Sequence, residues 1–165
     1  MKLSDFGRLA LEFEEGESLK PYKDVAGFWT IGKGHKLLPD ESYKNLKKSD
    51  INKLFENDVL VREKGLNNKM GMSLKQHEFD AIFILSFNIG VDAFFFSSMY
   101  KFLKISDRKS VPQYWKKWNK IKDPETGKLK VCNGLVNRRA REVNLFMNDL
   151  KDINDYKKFM EKTDA

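Results

Sequence analysis

Cysteine is nearly absent. Cys132 is the only one in 165 residues, which excludes an intrachain disulfide and any zinc site built on paired cysteines. Histidine is almost as scarce: His35 and His77 stand alone, without an H-x-x-H pair, so neither a metal nor a cofactor is expected. Gly32 and Gly34 lack the Gly-x4-Gly-Lys-Ser/Thr spacing of a phosphate loop. No apolar run reaches the ~18 residues of a membrane span, so stable membrane insertion is not expected. The stretch from Met1 to Gly16 has no continuous apolar segment and no small-residue cleavage site. The expectation is synthesis in the cytoplasm without a signal peptide, with release or delivery by another route if the protein acts outside. Internal repeats and low-complexity linkers are missing too.

What is present is charge and hydrophobic mass. Lys and Arg total 31 against 24 Asp and Glu, a net charge of +7. Such a surface is drawn to polyanions: nucleic acid, anionic membrane, or a bacterial wall with its teichoic acids and peptide carboxylates. At 41% hydrophobic and 13% aromatic residues, the chain can bury a core, and its length favours one domain. Leu3, Phe6, Leu9, Ala10 and Phe13 recur at helical spacing over 4–15, with Ser4 to cap the start and Gly16 the end. Residues 20–38 read as a small antiparallel hairpin with room for a third strand. Helices follow: one of about four turns from 49 to Gly65, one behind a Ser73/Gln76 capping box and stopped by Asn88 and Gly90, and a short one from Ser97 or Ser98. A Ser110/Gln113 box precedes Trp115 and Trp118. Residues 123–127 form a turn, the last firm helix covers about 135–149, and 151–165 is a polar tail or extra helix. Trp115, Trp118 and Phe94 to Phe96 read as core.

Chemistry could sit on Glu15, at the C-terminal end of the first helix. The negative dipole end and the neighbouring Glu12, Glu14 and Glu17 all favour the protonated carboxyl. A carboxylic acid that keeps its proton near neutral pH suits the general acid of glycosidic cleavage. The alternative is a solvated acidic face. A three-residue loop, Ala26-Gly27-Phe28, would set Asp24 opposite Thr30 on one sheet face, where carboxylate and hydroxyl could hold a water. Otherwise Asp24 simply shapes a turn.

Three stretches carry a resemblance: Phe13-Glu14-Glu15-Gly16, Leu19-Lys20-Pro21-Tyr22-Lys23-Asp24, and Gly27-Phe28-Trp29-Thr30-Ile31-Gly32-Lys33-Gly34-His35. Together they resemble the active-site signature of the phage-type lysozymes, the T4-like endolysin muramidases of glycoside hydrolase family 24. Gln76 with Phe79-Asp80-Ala81, Ser86 to Gly90, Phe95 to Ser98, and Gly134 to Arg139 with Glu142 extend the likeness over about 3–150. Glu14 and Lys33 depart from the pattern, and 151–165 lies outside it. The resemblance implies an α+β, lysozyme-like fold: a small antiparallel β-lobe (about 16–48) and a larger all-helical lobe (about 66–150 plus the first helix), a cleft between them, and 1–150 as a single domain. It implies a monomeric peptidoglycan hydrolase, with no nucleic-acid partner, acting on the wall or periplasm. The bond is the β-1,4 link between N-acetylmuramic acid and N-acetylglucosamine, with Glu15 as proton donor, Asp24 and Thr30 placing water, and inversion as the outcome.

Supporting residues follow from the same likeness. Arg138 is expected near Glu15, or else in an (i, i+4) pair with Glu142. His35 is expected to be structural and paired with Asp58 rather than a ligand or base. Phe87 and Ser98 are candidates to line the sugar cleft. Competing readings are a lytic transglycosylase on the same bond, a non-catalytic wall-binding protein, a basic nucleic-acid-binding module, and a Cys132-based amidase or peptidase.

Overall fold

The computed structural model describes residues 1–24, 27–41, 46–123, 126–150 and 152–161, without the side chains of 159–161. Helix α1 (Asp5–Glu15) starts where Ser4 accepts the backbone N–H of Gly7 and ends at Gly16, as the caps predict. Strands β1 (Ser18–Lys23), β2 (Trp29–Gly32) and β3 (His35–Lys36) form an antiparallel sheet in that order, which includes the third strand. Helix α2 (Lys48–Lys69) leads away from the sheet, with Ile51 buried beneath Gly32.

Helix α3 (Gln76–Ile89) is the centre of the molecule. Every residue from Glu78 to Phe87 is buried, and it packs against α1, α2, α4 (Val91–Phe96) and α7 (Asn133–Met147). A helix apolar on all sides is what such a central position requires. Helices α5 (Ser98–Lys104) and α6 (Val111–Trp115) close one side, and α8 (Ile153–Glu161) lies on α1 and α7. The architecture is α+β and lysozyme-like, a small sheet and a larger helical part with a cleft between them.

Five sequence expectations need correction. The second helix runs 22 residues, past Gly65. Burial of Leu66 and contact with Val91 outweigh the glycine's poor helix propensity. At α3, Glu78 rather than Gln76 reaches back, accepting the N–H of Lys75 at 2.9 Å. Ser110 does not cap with Gln113; its hydroxyl donates to Asp107 at 2.6 Å. The helical part is not wholly helical: β4 (Lys120–Lys122) and β5 (Leu129–Val131) form a hairpin, so the turn at 123–127, of which 124 and 125 lie outside the described residues, joins two strands. Two aromatics read as core are not: Trp118 is 36% exposed and Phe96 85%.

Gly7 makes the α1–α3 contact possible. A Cβ there would fall 2.7 Å from Cγ of Asp80. Asp80 cannot give way, because it is tied to the Ser4 backbone and hydroxyl and to Gln76. Alanine would ordinarily favour a helix interior, but here overpacking wins. Gly7→Ala should lower stability by about 1–3 kcal/mol in urea unfolding; an unchanged or raised midpoint would show that the two helices are not in this contact.

Candidate active site

A cleft of about 940 Å³ separates the sheet from the helical part, and Glu15, Asp24 and Thr30 all line it. They arrive from three places: the last residue of α1, the residue just after β1, and β2. The register differs from the expected one. Tyr22 pairs with Thr30 and Lys23 with Trp29, and the N–H of Asp24 donates to the Phe28 carbonyl at 2.9 Å. Asp24 therefore sits opposite Phe28, two residues from the predicted partner. A shift of two preserves the face, so Asp24 and Thr30 still point the same way. Ala26, assigned to the loop, lies outside the described residues.

Asp24 both shapes the turn and faces the cleft. Its Oδ1 accepts the Phe28 N–H at 2.9 Å, closing the turn, while the residue lines the cleft. The Thr30 hydroxyl donates to the Phe28 carbonyl at 3.2 Å. With its hydrogen committed, the oxygen presents acceptor lone pairs, the arrangement that orients a water. Tyr22 stands beside these groups: burial and then the charges of Glu15 and Asp24 push its phenol pKa up.

Glu15 is held from the helical side. Nη2 of Arg138 donates to its Oε1 at 2.7 Å, and both side chains are largely buried. The same guanidinium donates from Nε to Glu142 at 3.0 Å and from Nη2 to the Ile84 carbonyl at 3.3 Å. The two partners weighed for Arg138 are thus occupied together. Burial opposes its charge, but Glu15, Glu142 and Glu14 outweigh burial and raise its pKa. On the sheet side Gly34, at φ +76°, backs the carboxyl; a Cβ there would come 2.5 Å from Oε2 of Glu15.

His35 pairs with Asp58 at 2.9 Å and with Glu41 at 3.1 Å, tying β3 to α2. The Asp58 hydrogen bond outweighs burial and raises the His35 pKa. Its folded value exceeds its unfolded one, so this contact stabilises fully below about pH 6.5 and fades as pH climbs through the raised value. Phe87 lines the cleft floor but is only 5% exposed. Ser98 does not join it, since it begins α5 and is absent from the residues lining the cleft. Cys132 does line it, yet no histidine lies beside it there to serve as a base.

Sequence reasoning missed the neighbouring pair. Arg141 grips Glu14 through Nε at 2.6 Å and Nη2 at 2.7 Å. Tyr156 of α8, fully buried between Phe6 and Phe13, donates its hydroxyl to the same carboxylate at 2.9 Å. The departure at Glu14 and the segment beyond the resemblance are therefore two halves of one contact. The signal was there: an acidic residue at a position expected to be apolar or varied, and weak helical periodicity around Tyr156.

The phage lysozyme family profile matches residues 12–142. An endolysin of Acyrthosiphon pisum secondary endosymbiont phage 1 is 34% identical over 152 residues, covering 88% of this chain and 98% of that one. The chain belongs to the phage lysozyme family. Among solved structures, the endolysin of Escherichia coli O157:H7 phage FAHEc1 is similar at a TM-score of 0.80, with 28% identity over 92% of this chain and 97% of that one. The muramidase domain of SpmX from Asticaccaulis excentricus reaches 0.76, with 27% identity over 89% and 98%. Family membership makes the chain a glycoside hydrolase of the lysozyme kind.

Arg138→Ala removes one cation from buried Glu142 and the guanidinium from Glu15. Stability should fall by about 3 kcal/mol, at the lower end for a broken buried pair because Arg139 and Trp115 remain with Glu142. Turnover by the folded variant should fall about a hundredfold, as for a misplaced catalytic group. Near-normal turnover would mean that Arg138 does not orient Glu15.

Proposed function

We propose that the chain cleaves the β-1,4 bond between N-acetylmuramic acid and N-acetylglucosamine in bacterial peptidoglycan, with Glu15 as general acid and Asp24 and Thr30 placing the attacking water. The observation that carries this reading is the shared cleft: a carboxyl held from one side by Arg138, and a carboxylate and a hydroxyl on one face of the sheet. The acid protonates the leaving oxygen. Water held by Asp24 and oriented by the lone pairs of Thr30 attacks the far face of the sugar, inverting the anomeric centre. Inverting enzymes need room for that water, about 6.5–9.5 Å between carboxyls, and Glu15 and Asp24 reach the cleft from different elements.

A transglycosylase on the same bond needs the acid but no placed water, so the presence of Asp24 and Thr30 favours hydrolysis. We read 1–150 as one working unit, with α8 clamped to it through Tyr156 and one chain completing the cleft. The place of action is the cell wall.

Glu15→Gln keeps the Arg138 contact sterically possible and removes the proton donor. Lysis of chloroform-treated bacteria should fall about 10²–10⁴-fold, the usual contribution of general acid catalysis, with the unfolding transition retained. A folded variant that still lyses cells would refute the assignment of Glu15.

A further inference from the structure

Helix α1 ends on acids. Its last turn holds Glu12, Glu14 and Glu15 and no basic residue, so the helix itself offers nothing against the negative end of its dipole. The cations come from other elements. Helix α7 supplies Arg141 to Glu14 and Arg138 to Glu15. The sheet supplies Lys33, in the turn between β2 and β3. Its Nζ donates to Oε1 of Glu12 at 2.9 Å and lies 4.0 Å from Oε2 of Glu17. The departure from the family pattern at Lys33 is therefore a contact of this chain's own.

Lys33 is held closely. Its side chain is only 12% exposed. Its ammonium stands 5.1 Å from the centre of the Phe55 ring on α2, where the ring quadrupole attracts a cation. A charge withdrawn from water needs such partners. These contacts join the β2–β3 turn, α1 and α2 at one point.

The next residue shows what that point controls. Gly34 backs the Glu15 carboxyl so closely that a Cβ there would fall 2.5 Å from Oε2. Arg138 holds the other oxygen from α7. The carboxyl thus sits between a helical jaw and a sheet jaw. Glu12 precedes Glu15 by three residues and shares its face of α1. The Lys33–Glu12 pair therefore spans the same gap as Gly34 and Glu15, one residue earlier in the turn. His35, one residue later, is tied to α2 rather than to α1.

We propose that Lys33 is a positioning residue for Glu15: by pinning the β2–β3 turn to Glu12, it fixes how closely Gly34 meets the catalytic carboxyl. This rests on the reading of Glu15 as general acid. With the pin in place, backbone closes the Oε2 side and the carboxyl has little freedom to swing. Without it, the turn draws away from α1, the carboxyl gains room, and the geometry for proton transfer is occupied for a smaller share of the time. Substrate binding draws on the whole cleft and changes little.

The test compares the full-length wild type with Lys33→Met, Glu12→Gln, the double variant and Glu15→Gln on solubilised peptidoglycan strands, well below the lowest thermal midpoint of the set. Methionine keeps an unbranched apolar stem and drops the charge; glutamine drops the charge from the other end of the same contact. Each of these two single variants should lower kcat about tenfold, less than the roughly hundredfold that a 1 Å misplacement costs, with KM held within about twofold. The double variant should be no slower than the slower single, because both changes remove one contact. If Lys33→Met does not fold, Glu12→Gln carries the test, since that carboxylate is 34% exposed. An unchanged kcat in either single variant, a loss confined to KM, or losses that multiply in the double variant would each overturn the proposal. If Glu15→Gln still cuts the strands, the general-acid reading itself fails; if it does not, and Lys33→Met cuts like the wild type, only the positioning role fails.

Discussion

The structure turns on a carboxylate that water never reaches. Glu142 is fully buried in α7 and is held by Arg138 Nε at 3.0 Å, by the Trp115 indole N–H at 2.9 Å and by Arg139 Nε at 3.0 Å. The last is an ion pair without hydrogen-bond geometry, since that nitrogen has no hydrogen-bond partner. Nη2 of Arg139 continues the network to Asn88 at 2.8 Å, on α3 at the cleft wall. Buried ion pairs contribute little net stability, because desolvation offsets attraction. An apolar trio would hold α3, α6 and α7 together as well. What the charges add is direction: with Nε fixed on Glu142, Arg138 turns its Nη2 to Glu15.

A second ion pair runs alongside the first. Glu14 follows the chain into the helical part and is taken by Arg141 and Tyr156, while Glu15 turns to Arg138 and the cleft. Two adjacent acids at one helix end are thereby sent to different cations. Burial and then the charges of Glu14 and Glu142 push the Tyr156 phenol well above its usual range, so it remains a donor. The C-terminal helix is in this way connected to the helix end that carries the acid. On the sheet side, the approach of Gly34 limits where the Glu15 carboxyl can go, and His35 anchors the same hairpin to α2.

The local parts of this arrangement were readable in the residues. Ser4 and Gly16 mark the ends of α1, alternation and glycines mark the sheet, and His35 found Asp58 as expected. Asp24 and Thr30 share a face because parity survives a register error of two, although the error itself came from the loop, whose length composition alone does not fix. Contacts made at long range were not readable. Helix α2 passes through Gly65 because Val91 packs there. The β4–β5 hairpin has short strands dominated by lysine, which carry weak strand propensity, although the alternation of Lys120-Ile121-Lys122 around a turn was available as a signal. Trp118 followed the base rate of aromatics into the expected core and in fact lies at the cleft.

The proposed roles, with Glu15 as proton donor and Asp24 and Thr30 placing the water, require a definite product: a new hemiacetal of inverted configuration. Proton NMR of the reducing-end anomeric signals during the first minutes of digestion reads this before mutarotation erases it. The account predicts N-acetylmuramic reducing ends that appear first as the α-anomer. Anhydro ends, or a β-anomer formed first, would contradict the roles given to Asp24 and Thr30.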